Sequence, residues 1–267
     1  MIFKKWWHFL ILFILVSGIT IAALAALSIT LIYPTLPSLE TLTDYHPKQP
    51  LRVYSADGYL IGEFGEERRA FTKIDAIPQK MKDAVLAIED RRFYEHGGID
   101  TKGVLRALKN NITGKSHEGA STITMQVAKN FFTGPNKKRD IFIKIKESLL
   151  ALKIEKALTK DQILELYLNQ IYLGQRSYGF SAAAQVYFAK PLNELTLAEA
   201  ALLAGLPKAP SGYNPFYRPH KAIARQQEVL RDMRRYGFID QAQFDEAMAQ
   251  ELVFKRAKKS KRALTAD

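Results

Sequence analysis

The stretch that most constrains this chain is Phe9–Tyr33, twenty-five consecutive residues without a charge, mostly Leu, Ile, Ala, Phe and Val. About 20 apolar residues cross a bilayer as a helix, and a helix satisfies its backbone polar groups internally. The run therefore predicts one transmembrane helix over 9–33, with residues 1–8 (MIFKKWWH) as a short cytoplasmic N-terminus. Lys4 and Lys5 set that orientation, and Trp6, Trp7 and Tyr33 suit the two interfaces. A cleaved leader is the competing reading, helped by the small residues of Ala22–Ala26. The run is longer than a leader's hydrophobic segment, which favours an anchor.

Beyond it, Pro34, Pro37, Pro47 and Pro50 punctuate a polar stretch with no clear period, which predicts an extended stalk over 34–50. Residues 51–254 read as the folded domain and 255–267 as a basic tail or the start of a linker, with no ordered structure expected there. Within 51–71 two β-rich runs flank Asp57-Gly58, a hairpin signal and the one convincing β element. The rest reads as helix: 78–89, 101–111, 121–132, 140–158, 161–170, 178–188, 196–204, 219–236 and 240–251. Thr159 caps one start, and Thr196-Leu-Ala-Glu199 forms a capping box. The polar, glycine-containing run 110–119 predicts a mobile connection. There is no cysteine, so disulfides and thiolate metal sites are excluded.

The net charge of +12 is unevenly placed, with +5 in residues 255–267 and +5 in residues 129–146. Two local patches point to a membrane surface or a polyanionic ligand. A nucleic-acid partner fits the charge but not the membrane span.

Candidate chemistry starts at residues 89–98, EDRRFYEHGG. Glu89 falls at the end of the helix 78–89, where the negative end of the dipole disfavours its charged form and makes it a better base. Taken alone, an acidic pair there is an ordinary solvated helix end. Residues 119–126, GASTITMQ, put small and hydroxyl residues at a helix start, where free amides favour an anion or simply a cap. Lys129, Arg139, Lys144 and Lys146 follow, and Lys144 shares a helix face with Glu147. Amides beside these cations make a plausible diphosphate site. Residues 167–180 and 195–215 read as scaffold.

In order, ED-x-x-F-x-x-H-x-G, G-A-S-T-I-T-x-Q, K-x-x-E, Y-L-N-x-I-Y-L-G and L-P-x-x-P resemble the signature blocks of the family 51 glycosyltransferases, the peptidoglycan polymerases. The similarity runs from about residue 51 to 252. It implies a mainly α, lysozyme-like glycosyltransferase domain with a small membrane-proximal lobe and one N-terminal transmembrane helix. It implies polymerisation of lipid II into β-1,4-linked strands, with inversion at the donor anomeric carbon and release of undecaprenyl diphosphate. The same resemblance makes Glu89 the general base, and Glu147 the second glutamate, positioning the donor. Asp90, Phe93, Arg106, Ser121, Gln126, Lys129, Arg139 and Lys144 become substrate-binding residues. No tightly bound cofactor is implied, beyond a divalent cation, magnesium or manganese, near Glu147. The implied partners are lipid II, the nascent strand, the membrane and other cell-wall synthases. The implied location is the bacterial cytoplasmic membrane, single-pass, with the catalytic domain outside.

Two positions depart from the family pattern: Ile143 stands where an arginine is usual, and Met125 where a glutamine is usual. No S-x-x-K or K-T-G occurs, so penicillin-type acyl chemistry is not expected from these residues. The hairpin near residue 57 favours the front part of a longer synthase over a monofunctional enzyme. A weakly active scaffold that binds lipid II, and a lytic hydrolase acting on finished glycan, are the alternatives.

Overall fold

The computed structural model describes residues 3–43, 51–58, 60–64, 67–113, 121–133 and 140–255. It is mainly helical. In chain order the elements are α1 (Phe3–Ile32), α2 (Glu40–Thr43), β1 (Leu51–Tyr54), β2 (Leu60–Phe64), β3 (Arg68–Arg69), α3 (Gln79–Glu89) and α4 (Thr101–Ile112). There follow α5 (Ile123–Ala128), α6 (Ile141–Ala157), α7 (Lys160–Gln170), β4 (Ser177–Tyr178), α8 (Phe180–Phe188), α9 (Leu197–Gly205), α10 (Pro219–Arg235) and α11 (Gln241–Ala249). The helix expected over 121–132 is α only to Ala128 and continues as a π-helical turn, Lys129–Thr133.

Helix α1 is long and apolar enough to cross a membrane, with a mean hydropathy of 2.7 over its most apolar window. Two of its hydroxyls bond back to the helix: Thr20 Oγ1 donates to the Val16 carbonyl at 2.8 Å and Thr30 Oγ1 to that of Leu27 at 3.0 Å. Such back-bonding hides a polar group on an otherwise apolar surface.

The stretch expected to be an extended stalk is folded over its described part. Tyr33–Thr35 forms a 3-10 turn, α2 follows, and Ile32, Leu36 and Leu42 are buried in the main core. Lys153 Nζ on α6 also donates to the Pro37 carbonyl at 2.9 Å. The prolines broke the period that a sequence reading relies on, but the leucines between them carry enough apolar surface to dock. Residues 44–50 of that stretch lie outside the described residues, as does the tail from 256.

The expected hairpin is present, β1 antiparallel to β2 with Leu51 opposite Phe64. A second pairing was not expected: β3 lies parallel to β4, Arg68 beside Ser177 and Arg69 beside Tyr178. Two-residue strands leave no periodicity to read.

The core is built around α9. Its alanines and leucines from Ala198 to Gly205 are buried, and α3 and α10 pack on it. Thr196 and Glu199 close its N-terminus as a reciprocal box, as Thr159 and Gln162 do for α7. On the other side, Asn169 of α7 clasps the segment leading to α3. Its Oδ1 accepts from the Thr72 amide at 2.8 Å, and its Nδ2 donates to the Thr72 and Glu165 carbonyls at 2.9 and 2.8 Å. Asn169→Leu keeps the volume but strands these partners, so stability should fall by about 2–3 kcal/mol. Thermal denaturation reads this as a drop of several degrees; an unchanged midpoint would show that the clasp contributes nothing.

Candidate active site

Glu89 is the last residue of α3. The chain leaves the helix at Asp90 and makes a 3-10 turn, Phe93–Glu95, whose Phe93 is fully buried. The turn closes at Gly98, in the left-handed region (φ +92°), where a side chain would stand 3.1 Å from the Ala151 backbone. Only glycine meets both demands at no steric cost.

The Asp90 carboxylate fastens this loop to α5. Its oxygens accept from His96 Nε2 at 2.9 and 3.0 Å, and Oδ2 accepts from the Ile123 amide at 3.1 Å. Thr122 works alongside, its hydroxyl donating to the Gly98 carbonyl at 2.6 Å and accepting from the Met125 amide at 3.2 Å. With α5 so fixed, Gln126 faces Glu89 and its Nε2 donates to Glu89 Oε2 at 2.6 Å. Met125, one residue earlier, points into the core.

Glu89 and Gln126 open onto a cavity of about 790 Å³. One wall carries Asp90, Arg106 and Ser121; the other comes from the segment after α9 and from α10, with Lys208, Arg225, Arg231 and Arg235 among its residues. Burial pushes the Glu89 carboxyl above the usual range, against the bond from Gln126 and the charge of Arg225; Asp90 adds to the rise and Lys208 opposes it. The expected direction holds, with burial as its chief cause. A carboxyl so placed titrates closer to neutrality and accepts a proton more readily.

Arg225 reaches this wall because Gly205 gives it room. A side chain on Gly205 would stand 2.7 Å from Arg225 Cγ. The guanidinium is buried, pairs with Glu228 at 2.6 Å and lies over the Tyr213 ring at 5.9 Å. The α10 cations were missed from sequence because Glu228 and Asp232 interleave with them, so the local charge never stood out as a run. The signal was the helical spacing of Arg231 and Arg235, which puts them on one face.

At the rim, Lys144 Nζ donates to Ser121 Oγ at 2.8 Å and to Glu147 Oε2 at 3.2 Å. Lys144 is half-exposed and Glu147 buried, so the glutamate holds the ammonium toward Ser121. Lys129 is exposed on the π-helical turn, and Lys146 Nζ lies 5.1 Å from the centre of the Phe142 ring. Ile143 is half-buried on α6. Arg139, Gly119 and Ala120 fall outside the described residues, as does most of the connection expected to be mobile.

Three expectations change. Phe93, expected at the substrate, is fully buried, edge-on to Tyr94 and under the Lys160 ammonium. Asp90 lines the cavity, but its carboxylate is spent on His96 and Ile123, which makes it a brace. The anion expected at the start of α5 is Asp90 itself, since it and Thr122 already occupy the Ile123 and Met125 amides.

Among the described residues, no group of three or more His, Asp or Glu is placed to hold a metal ion. Near the expected cation position, Glu147 Oε2 pairs with Lys144 Nζ at 3.2 Å.

The transglycosylase family model matches residues 57–234. Penicillin-binding protein 1A of Neisseria flavescens is 56% identical over 234 residues, 87% of this chain and 29% of that protein. Penicillin-binding protein 1A of Escherichia coli (strain K12) is 52% identical over 216 residues, 80% of this chain and 25% of that protein. The crystal structure of penicillin-binding protein 1A from Haemophilus influenzae matches 80% of this chain and 22% of that chain, at 34% identity and a TM-score of 0.49. The chain thus spans under a third of the length of the curated relatives it matches.

Proposed function

The chain belongs to the transglycosylase family, and we propose from that membership that it polymerises lipid II into β-1,4-linked glycan, inverting the donor anomeric carbon and releasing undecaprenyl diphosphate. The observation that carries this reading is Glu89, held by Gln126 on the cavity wall with its carboxyl raised by burial.

Glu89 takes the proton of the acceptor 4-hydroxyl as that oxygen attacks the donor carbon. The bond from the anomeric carbon to the diphosphate breaks, and the diphosphate leaves as an anion that needs charge neutralisation more than a proton. Lys144, aimed by Glu147 and Ser121, supplies a cation for it at the rim. Lys129 and Arg139 are assigned to the same anion, and Arg106 to the donor cleft, by resemblance to the family.

The α1 helix anchors the domain in the cytoplasmic membrane, facing outward, where a lipid-linked donor is presented. The growing strand and neighbouring cell-wall synthases are its further partners.

The test is a polymer assay on the purified chain in detergent. Lipid II should be consumed and chains of many disaccharides formed. Binding without turnover would leave a scaffold, and shortening of preformed glycan would identify a hydrolase.

A further inference from the structure

Helix α5 carries Gln126, whose bond holds Glu89, yet it is only six residues long. A helix that short is not stable by itself, so its place is set by what grips it. Two grips come from the loop after α3: Asp90 accepts from the Ile123 amide, and the Gly98 carbonyl accepts from the Thr122 hydroxyl. A third comes from α6. Thr124 is fully buried, and its hydroxyl donates to Glu155 Oε1 at 2.5 Å. Residues two apart on a helix do not share a face, so Thr124 and Gln126 leave α5 in different directions. The helix is thus held on the side away from Glu89 as well as on the side toward it.

Glu155 is itself fixed. Its Oε1 also accepts from Lys160 Nζ at 2.7 Å, with the two side chains 10% and 20% exposed. The same ammonium stands 4.3 Å from the centre of the buried Phe93 ring. A side chain added at Gly98 would come within 3.1 Å of Glu155 Cγ, so the loop after Glu89 closes directly on this carboxylate. Glu155 therefore sits where α5, α6, the start of α7 and that loop meet. Two apolar side chains could fill the same space without the cost of desolvating two charges. They would pack against Thr124 but give its hydroxyl nothing to bond, and a bond fixes a direction that packing alone does not.

We propose that Glu155 is a positioning residue: held by Lys160, it grips Thr124 and so sets the rotation of α5 that aims Gln126 at Glu89. Neither Glu155 nor Lys160 lies in the signature blocks quoted from the sequence. The buried Phe93 ring gains a task here, since it carries the ammonium that holds Glu155. The inference rests on the reading of Glu89 as the base.

The test is Thr124→Val in the whole purified chain, with Thr124→Ser, Glu155→Gln and the double variant Thr124→Val with Glu155→Gln beside it. The pH dependence of lipid II turnover and thermal denaturation are measured for each. Burial raises the Glu89 carboxyl and the bond from Gln126 works against that rise, so a looser bond moves the acid limb up. Arg225, Asp90 and Lys208, which also act on Glu89, lie off α5 and are left in place. In Thr124→Val, which keeps the shape and loses the hydroxyl, the limb should rise by about one pH unit, and turnover on it should drop about tenfold with KM little changed. Thr124→Ser keeps the hydroxyl and should stay within about twofold of wild type. Glu155→Gln weakens the acceptor and should shift the limb the same way, but add nothing once Thr124 is valine. A limb within about 0.2 unit of wild type in Thr124→Val makes the contact plain packing and overturns the proposal, whatever the melting temperature. Additive shifts in the double variant overturn it too, since the two residues would not act through one bond. The base assignment fails separately: Glu89→Gln retaining turnover and its acid limb would remove it without reference to Thr124 or Glu155.

Discussion

Glu89→Gln is expected to lower lipid II turnover about 10²–10⁴-fold, the usual loss when a general base is removed. The amide is nearly the same shape but cannot take the proton. The fold should hold, because Glu89 sits at the end of α3 and opens to the cavity, with Gln126 as its one side-chain hydrogen-bond partner among the described residues. Removing a buried charge also relieves a desolvation cost, so the melting temperature should stay level or rise. The pH profile adds a second check. The acid limb of the wild-type protein reports Glu89, and since burial raises that group, the limb should lie above the ordinary glutamate range. In the variant that limb should vanish. Turnover above about a tenth of wild type would take the base role away from Glu89.

Local signals explain what could be read in advance. Helix starts were legible wherever a side chain caps its own backbone, as at Thr159 and Thr196, because the cap and the apolar period lie within a few residues of each other. Asp240 closes α11 with the same reciprocal box through Gln243, an equally local pattern that could have been found. The bond from Gln126 to Glu89 was not legible, as nothing in the spacing of two residues 37 apart says they meet. The five blocks put both residues in one cleft only by resemblance.

The differences at Phe93 and Asp90 have one physical origin. Phe93 and Asp90 occupy a signature block, and a signature does not distinguish a residue that touches substrate from one that shapes the loop. Burial does: Phe93 is wholly enclosed, and the Asp90 oxygens are taken by His96 and Ile123. The α10 wall shows the converse. Arg225 carries no signature in the blocks quoted, yet Gly205 lets it approach closely enough for its charge to act on Glu89. Its pairing with Glu228 made the segment look like an ordinary solvated helix.

Lys144→Ala should cost about 10²–10³ in turnover, the scale for removing one preorganised group from a developing anion. The argument is geometric. Lys144 is anchored at two points, Ser121 Oγ and the buried Glu147, so its ammonium is fixed at the cavity rim before substrate arrives. A fixed cation stabilises the leaving diphosphate without being reorganised during the reaction. Stability should change by under about 1 kcal/mol, because the lysine is half-exposed and its ion pair is screened by solvent. Lys146→Ala, two residues along the same helix, is the control: its ammonium lies over the Phe142 ring, and turnover should stay within about twofold. Glu147→Gln should fall between the two, since the amide can still accept from Lys144 but no longer attracts it as a charge. Measuring lipid II turnover for the three variants orders them. If Lys144→Ala and Lys146→Ala prove equal, the charge at the rim is diffuse, and the anchoring of Lys144 by Glu147 has no part in the chemistry.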